Sequence, residues 1–252
     1  MPLSLLSLSA VLFLFTGCVS DAIGPFDSPG DELKRFPSAN AETTLSTLYK
    51  REAAVTSLRA NGTLTIEENE RRVRLDAILL SDRLDTPTPR IRLRSSKFGT
   101  SVMDLVRVDR TTWFWVKGDD AAFNEQAEAS LLRLPPLQLR HYELDLDHTT
   151  PSHFVFNAVW HARQPTPAQA SVHRSTRTLH RVVFSPANEP TELALRYKPS
   201  PVGPQLEAMR VVAPNGTTVT LSIEQMQINP PLIDGVFRPL PQSRRIDPSS
   251  DP

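Results

Sequence analysis

One helical stretch followed by many short segments of alternating polarity predicts an α+β domain, a strongly curved antiparallel sheet of about ten strands with a helix on its concave side. Three observations carry this. Residues 41–60 hold apolar side chains at helical spacing, with Leu45, Leu48, Val55 and Leu58 on one stripe and Tyr49 beside it. The alternating segments that follow lie too close together for parallel crossovers, which need a dozen or more residues. The chain has 23 prolines, nine glycines and one cysteine in 252 residues, so stiff turns join the strands and no internal disulfide forms. A two-sheet sandwich with a peripheral helix is the alternative.

The elements can be justified in order. Asn40 suits a helix N-cap, and Glu42 in the first turn complements the helix dipole. Asn61-Gly62 reads as the helix stop, with Gly62 in the left-handed conformation. Thr63-Leu64-Thr65-Ile66 then alternates as a half-buried strand does. Val73, Leu75, Ala77 and Leu79 alternate with Arg72, Arg74 and Asp76, and Ile91 and Leu93 with Arg90, Arg92 and Arg94. Residues 101–108 and 112–116 continue the series across a tight turn at Asp109-Arg110. Thr112-Trp113-Phe114-Trp115-Val116 is apolar on both faces, as a covered central strand or a cavity wall would be.

Asp119 and Asp120 open a short expected helix in which Phe123, Ala127 and Leu131 share a face, placed to close one end of the sheet as a lid would. Strands resume at residues 141–148. There Glu143, Asp145 and Asp147 form an acidic row that reads either as a divalent-cation site or as a solvated strand face. Phe154, Phe156, Ala158 and Trp160 alternate next, Gln164-Pro165-Thr166-Pro167 reads as a loop, and residues 179–184 and 193–195 as short strands. Asn215-Gly216 between apolar runs is a hairpin signal. Both Asn-Gly-Thr triplets match a glycosylation pattern that their turn roles set aside.

The termini are of a different kind. Residues 1–17 read as an export signal, an apolar run from Leu3 to Phe15 that is too short to span a bilayer. Phe15-Thr16-Gly17-Cys18 resembles the bacterial lipobox, in which the cysteine carries the lipid and becomes the mature N-terminus. Cys18 is therefore the candidate lipid-attachment site, and residues 18–39, rich in Pro, Gly and charge, a flexible tether. A domain over 40–240 and a disordered tail over 241–252 complete the expected organisation.

Charge is balanced, with 28 basic and 28 acidic residues, so no footprint for nucleic acid follows. No phosphate-binding glycine loop, nucleophile elbow or H-E-x-x-H spacing occurs among the nine glycines and six histidines. His173 and His180 lie among Arg174, Arg177 and Arg181, a basic cluster that repels a cation and suits either solvent or phosphate headgroups. No cofactor, metal or catalytic residue is assigned.

Two stretches resemble the lipoprotein-localisation-factor superfamily, LolA- and LolB-like. Leu58-Arg59-Ala60-Asn61-Gly62-Thr63-Leu64-Thr65-Ile66 is similar to the family's passage from helix to first strand, and Asn229-Pro230-Pro231-Leu232-Ile233-Asp234-Gly235-Val236-Phe237-Arg238-Pro239 to its closing stretch. The resemblance implies a half-open antiparallel β-barrel with helices on the concave side, and a non-catalytic carrier or receptor of acyl chains, lipids or lipoproteins. Localisation is then expected in the cell envelope, lipid-anchored at the outer membrane and facing the periplasm. Alternation selects Leu64, Ile66, Leu75, Leu79, Ile91, Leu93, Trp113 and Trp115 as ligand-binding candidates. A scaffold lipoprotein that binds an envelope protein is the rival reading, and a hydrolase the third.

Overall fold

The computed structural model describes residues 40–68, 71–86, 88–109, 111–118, 138–161, 165–184, 190–201 and 203–246. Its elements run α1 (Ala41–Ala53), β1 (Ser57–Glu68), β2 (Arg71–Asp82), β3 (Arg90–Lys97), β4 (Thr100–Val108), β5 (Thr111–Val116), β6 (Tyr142–Thr149), β7 (His153–His161), β8 (Pro165–His173), β9 (Thr178–Phe184), β10 (Thr191–Lys198), β11 (Gln205–Val212), β12 (Thr218–Ile228) and β13 (Arg244–Ile246). All thirteen strands join one sheet in the order β13-β5-β4-β3-β2-β1-β12-β11-β10-β9-β8-β7-β6, and every neighbouring pair is antiparallel. The sheet is curved and does not close. It is a half-open barrel with α1 on the concave side, not a sandwich.

Period-2 alternation puts one set of side chains on the concave face, where they line up across strands. Phe114, Leu105, Leu93 and Leu79 form one row through β5, β4, β3 and β2. Leu75, Leu64, Leu221, Met209 and Leu195 form another through β2, β1, β12, β11 and β10. These nine are buried in a single cluster that also takes in Leu48 of α1, with Leu45 and Tyr49 packed against it. Each such large side chain taken out of water stabilises the fold by roughly 1.5–3 kcal/mol.

The N-cap is as expected: the Asn40 side chain accepts a bond from the Thr43 amide at 2.8 Å. The helix, however, ends at Ala53 rather than at Ala60. Val55 and Thr56 are β-branched, and the Asn229 side chain captures the turn. Its Oδ1 accepts from the amides of Thr56 (2.8 Å) and Ser57 (3.3 Å), and its Nδ2 donates to the Ala54 carbonyl at 2.8 Å. Asn61-Gly62 therefore lies within β1, at a bulge where the register against β12 shifts. Gly62 is required by space and not by a helix cap: a Cβ there would sit 1.9 Å from the Ser222 carbonyl oxygen.

Other expectations shift in the same way. Pro165 and Pro167 belong to β8 and not to a loop. They precede Ala168, where pairing with β9 begins, and a proline is tolerated where no ladder bond is asked of its nitrogen. The tail expected to be disordered over 241–252 contributes β13, whose Arg244, Arg245 and Ile246 pair with Phe114, Trp113 and Thr112 of β5. The Asn215-Gly216 hairpin forms as read: Gly216 has φ 87°, and Asn215 Oδ1 accepts from the Thr217 amide at 3.0 Å.

The convex face of β3 and β4 is covered by a 3-10 turn, Asp234–Phe237. Asp104, fully buried, accepts two bonds of 2.8 Å from Nε and Nη2 of Arg92 and one of 3.3 Å from Nε of Arg94. Arg92 Nη1 donates to the Val236 carbonyl at 2.7 Å. Arg90 pairs with Asp82 and, at 2.6 Å, with Asp234, and its guanidinium lies 4.7 Å from the centre of the Phe237 ring.

Replacing Gly62 by Ala is expected to destabilise the protein by about 3 kcal/mol, the upper end of the cost of overpacking, because the obstacle is backbone and cannot rotate aside. Chemical denaturation measures this, and a midpoint equal to the parent's would refute the close-approach account.

Candidate ligand site

α1 lies over the concave face and is held at both flanks. On one side Arg51 Nη1 donates to the carbonyls of Thr176 (3.2 Å) and Arg177 (3.1 Å), and Arg177 Nη1 returns a bond to Thr47 Oγ1 at 3.2 Å. On the other, Glu52 accepts from the amides of Leu139 (2.8 Å) and Arg140 (3.1 Å), which open the 3-10 turn Leu139–His141. With its orientation fixed, α1 turns Thr44 and Leu48 into the core and leaves a second stripe, Leu45, Tyr49 and Ala53, four residues apart, on its flank.

That stripe, together with Glu42, Ser46 and Lys50, borders a shallow, largely open cleft of about 480 Å³ whose described lining belongs to α1 alone. The volume is that of a small-molecule site, roughly 300–1,000 Å³, but the space is open on most sides and its described wall covers one flank only. The lining is apolar along the stripe, with a carboxylate at one end and an ammonium on a flexible stem nearer the other. Such a surface can seat one side of a narrow aliphatic body and meet a polar head at its rim.

Six of the sequence candidates share the concave face. Leu64, Ile66, Leu75, Leu79 and Leu93 are buried in the core cluster, and Ile91 is packed against it. They fill one another's space across the strands and do not line the cleft. Trp113 and Trp115 are not brought to that face. Their cross-strand neighbours are Val106 and Asp104, on the convex side, while Phe114 between them points into the core. Alternation correctly divided the tryptophans from Phe114, but it is Phe114, not the tryptophans, whose side faces the core. The cleft residues Leu45 and Tyr49 were visible as members of a helical stripe; that α1 carries two stripes, one buried and one open, was not.

Other candidates fall as follows. Glu143, Asp145 and Asp147 are exposed, and among the described residues no group of three or more His, Cys, Asp or Glu side chains could hold a metal ion. His173 is buried, and the His153 ring lies 5.0 Å from it and 4.9 Å from His180, so these histidines form a packed cluster and not a solvated surface. Cys18, the tether and the helix expected over 120–134 lie outside the described residues. No described helix is long and apolar enough to cross a membrane.

Solved structures resemble this architecture over most of its length. A DUF1329 family protein from Desulfovibrio piger superposes with a TM-score of 0.57 at 11% identity, covering 81% of this chain and 98% of its own. A protein domain described as outer membrane lipoprotein-sorting, from Vibrio parahaemolyticus, gives 0.57 at 11% identity, with 79% and 97% covered. A LolA superfamily protein from Nitrosomonas europaea gives 0.55 at 9%, with 80% and 98% covered. The fold is LolA/LolB-like. No protein-family model matches the sequence, and no curated protein matches it. At these identities the likeness concerns the fold. Within this LolA/LolB-like fold the chain supplies its own cleft lining and its own buried charges.

Two of those charges titrate in opposite senses. Burial pushes the Glu52 carboxyl up to about 7, outweighing the two amides it accepts from and the Arg140 charge. Burial, with His180 and His173 beside it, pushes His153 down to about 4. Folded Glu52 holds its proton above the ordinary value of 4.5, so its contribution is lost as pH rises from 4.5 through 7. Folded His153 resists protonation, so its contribution is lost as pH falls from 6.5 through 4. For buried Glu52 this amounts to something on the order of 3 kcal/mol, and for half-exposed His153, whose charge solvent screens, to less; the two oppose one another in the shared window. The parent's melting temperature should therefore fall only modestly as pH rises between these limits. Glu52→Gln should leave a chain whose Tm climbs with pH, and His153→Gln one whose Tm declines. Calorimetry across this range checks both; superimposable profiles for parent and variants would remove the assignment.

Proposed function

We propose that this protein is a lipid-anchored envelope protein that holds an acyl chain, free or carried by a lipid or lipoprotein, in the cleft along α1, and acts as a carrier or receptor in lipid or lipoprotein trafficking without catalysis. The cleft of about 480 Å³ lined by Leu45, Tyr49 and Ala53 carries the reading. Each methylene it buries would contribute about 0.8 kcal/mol, so a long chain needs few polar contacts. The likeness to a domain described as lipoprotein-sorting and to a LolA superfamily protein supports the same class of cargo. Balanced charge gives no reason to invoke nucleic acid.

The anchor rests on Cys18 following Phe15-Thr16-Gly17. Val19 comes next, where an Asp signals inner-membrane retention in some bacteria, so the outer membrane is favoured, with the domain facing the periplasm. Cys18→Ser should move the protein from the detergent phase to the aqueous phase or leave it unprocessed. Partitioning identical to the parent would remove the lipid anchor from the proposal.

For the cleft, the chain without residues 1–18, produced in a bacterial host, should show co-purified acyl species in native mass spectrometry and displace a fluorescent fatty acid. Tyr49→Asp should weaken that displacement by about tenfold or more, since it sets a charge against apolar surface. A chain that carries no lipid and displaces no probe would favour the scaffold reading instead.

A further inference from the structure

Three histidines meet at one end of β7, β8 and β9. His153 stands opposite His173 across the first two strands, and both alternate away from Phe154 and Val172, which point into the core. His180 joins them from β9, so that the His153 ring lies about equally far from both neighbours. His153 Nδ1 is 2.8 Å from Ser152 Oγ, and its Nε2 is buried with no hydrogen-bond partner among the described residues. His173 is used as an acceptor. The Thr176 amide donates to its Nδ1 at 3.2 Å, and the Thr176 hydroxyl lies 3.0 Å from the same atom. A ring nitrogen that accepts from an amide carries no proton, so this arrangement requires a neutral His173. Thr176 is fully buried, and its hydroxyl meets that of Thr178 at 2.8 Å.

The cluster shapes the turn that holds α1. Residues 174–177 join β8 to β9, with Arg177 in the left-handed conformation at φ 54°. The Arg177 amide donates to the His173 carbonyl at 2.9 Å, and the Arg174 amide to the Ser152 carbonyl at 2.8 Å. So folded, the turn presents the Thr176 and Arg177 carbonyls to Arg51 of α1 and the Arg177 guanidinium to Thr47. A continuous chain of bonds therefore runs from imidazole to helix. The ionisable groups around it are mostly basic. Arg174 and Arg177 lie on the turn, Arg51 on α1, and Arg181 on β9, paired with Glu192 of β10. On β6 the Asp147 carboxylate bonds its neighbour His148 at 2.8 Å. Burial, then His180 and His173, keep His153 neutral well below its ordinary 6.5, down to about 4.

We infer that the His153–His173–His180 cluster is an acid-sensitive latch on α1: protonation breaks the Thr176 bond, opens the β8–β9 turn and frees the Arg51 flank of the helix while the sheet stays paired. A proton taken up at His173 Nδ1 turns an acceptor into a donor facing the Thr176 amide, and two donors cannot share a bond. A proton on His153 Nε2 creates a buried charge with no acceptor, beside two other imidazoles. Both disfavour the closed turn. α1, marginal by itself at 13 residues, then keeps Glu52 on its other flank and loses Arg51. The inference concerns how α1 is held and stands whether or not the cleft takes an acyl chain.

The test follows the mature protein by NMR as pH falls from 6.5 through about 4. Amide exchange, corrected for the intrinsic effect of pH, should show α1 and residues 174–177 losing about tenfold in protection, the worth of one hydrogen bond. The midpoint should match that of the imidazole carbon signals, and β1 and β12 should keep their protection. His173→Asn, whose amide oxygen accepts from Thr176 and takes up no proton, should hold α1 protected over the whole range. The inference is overturned if α1 loosens only together with β1 and β12, or stays protected after the imidazoles have titrated. A midpoint near 7, where Glu52 titrates, would assign the movement to that carboxyl and overturn it too. So would a folded His173→Asn chain that releases α1 as the parent does. Should that variant not fold, the midpoints in the parent decide between the same outcomes.

Discussion

The placement of α1 depends on one asparagine. Asn229 follows β12 in the left-handed conformation, with φ 54°, which asparagine tolerates better than most residues. Its amide reaches back to both sides of the turn after α1, and its backbone N–H donates to the Ser57 carbonyl at 2.9 Å. One side chain thus joins the end of the helix, the start of β1 and the end of β12. A helix of 13 residues is marginal in water by itself, so α1 relies on such anchors. With the turn fixed, the burial of Thr44 and Leu48 and the bonds from Arg51 and Glu52 set its rotation, and that rotation decides which stripe is buried and which lines the cleft.

The convex surface shows a second use of charge. Arg90, Arg92 and Arg94 have the pattern of a solvated strand face, yet Asp104 sits opposite them without solvent contact, and the 234–237 turn closes over Arg90 and Arg92. Removing one partner from a buried pair of this kind costs more than the pair contributes, because a charge is left without compensation. The row therefore fixes where the C-terminal segment crosses the sheet, and its specificity comes from the geometry of the Arg92–Asp104 fork.

Much of the sheet was legible because a side-chain period of two is local information. The strands around Leu75, Leu93 and Leu221 could be read from a few residues each, and so could the Asn215-Gly216 turn. What failed needed partners far away in sequence. Asn61-Gly62 has the composition of a helix stop, and only the approach of Ser222 shows that the glycine serves a bulge. The tryptophans of β5 could be divided from Phe114 by alternation, but which side was core depended on Leu105 and on the late segment that covers the convex face. β13 could not be found from Arg244-Arg245-Ile246 alone, since its pairing is set by the edge of β5. For the cleft, the stripe of Leu45 and Tyr49 was readable and its exposure was not, because that follows from the rotation of α1 about its axis.

The sheet order carries a kinetic implication. β1 lies at its centre, hydrogen-bonded to β12, with Leu64 set against Leu221, and the two arms of the sheet are strand meanders that spread outward from this pair. Each arm can pair locally, but neither meets the other until nearly the whole chain exists. The loop closed by that first long-range contact spans most of the protein, and its entropy must be met before central packing offsets it. Assembly of the middle therefore waits for the last third of the polypeptide, so a chain whose C-terminal strands are not yet available remains two unjoined halves with their apolar faces open.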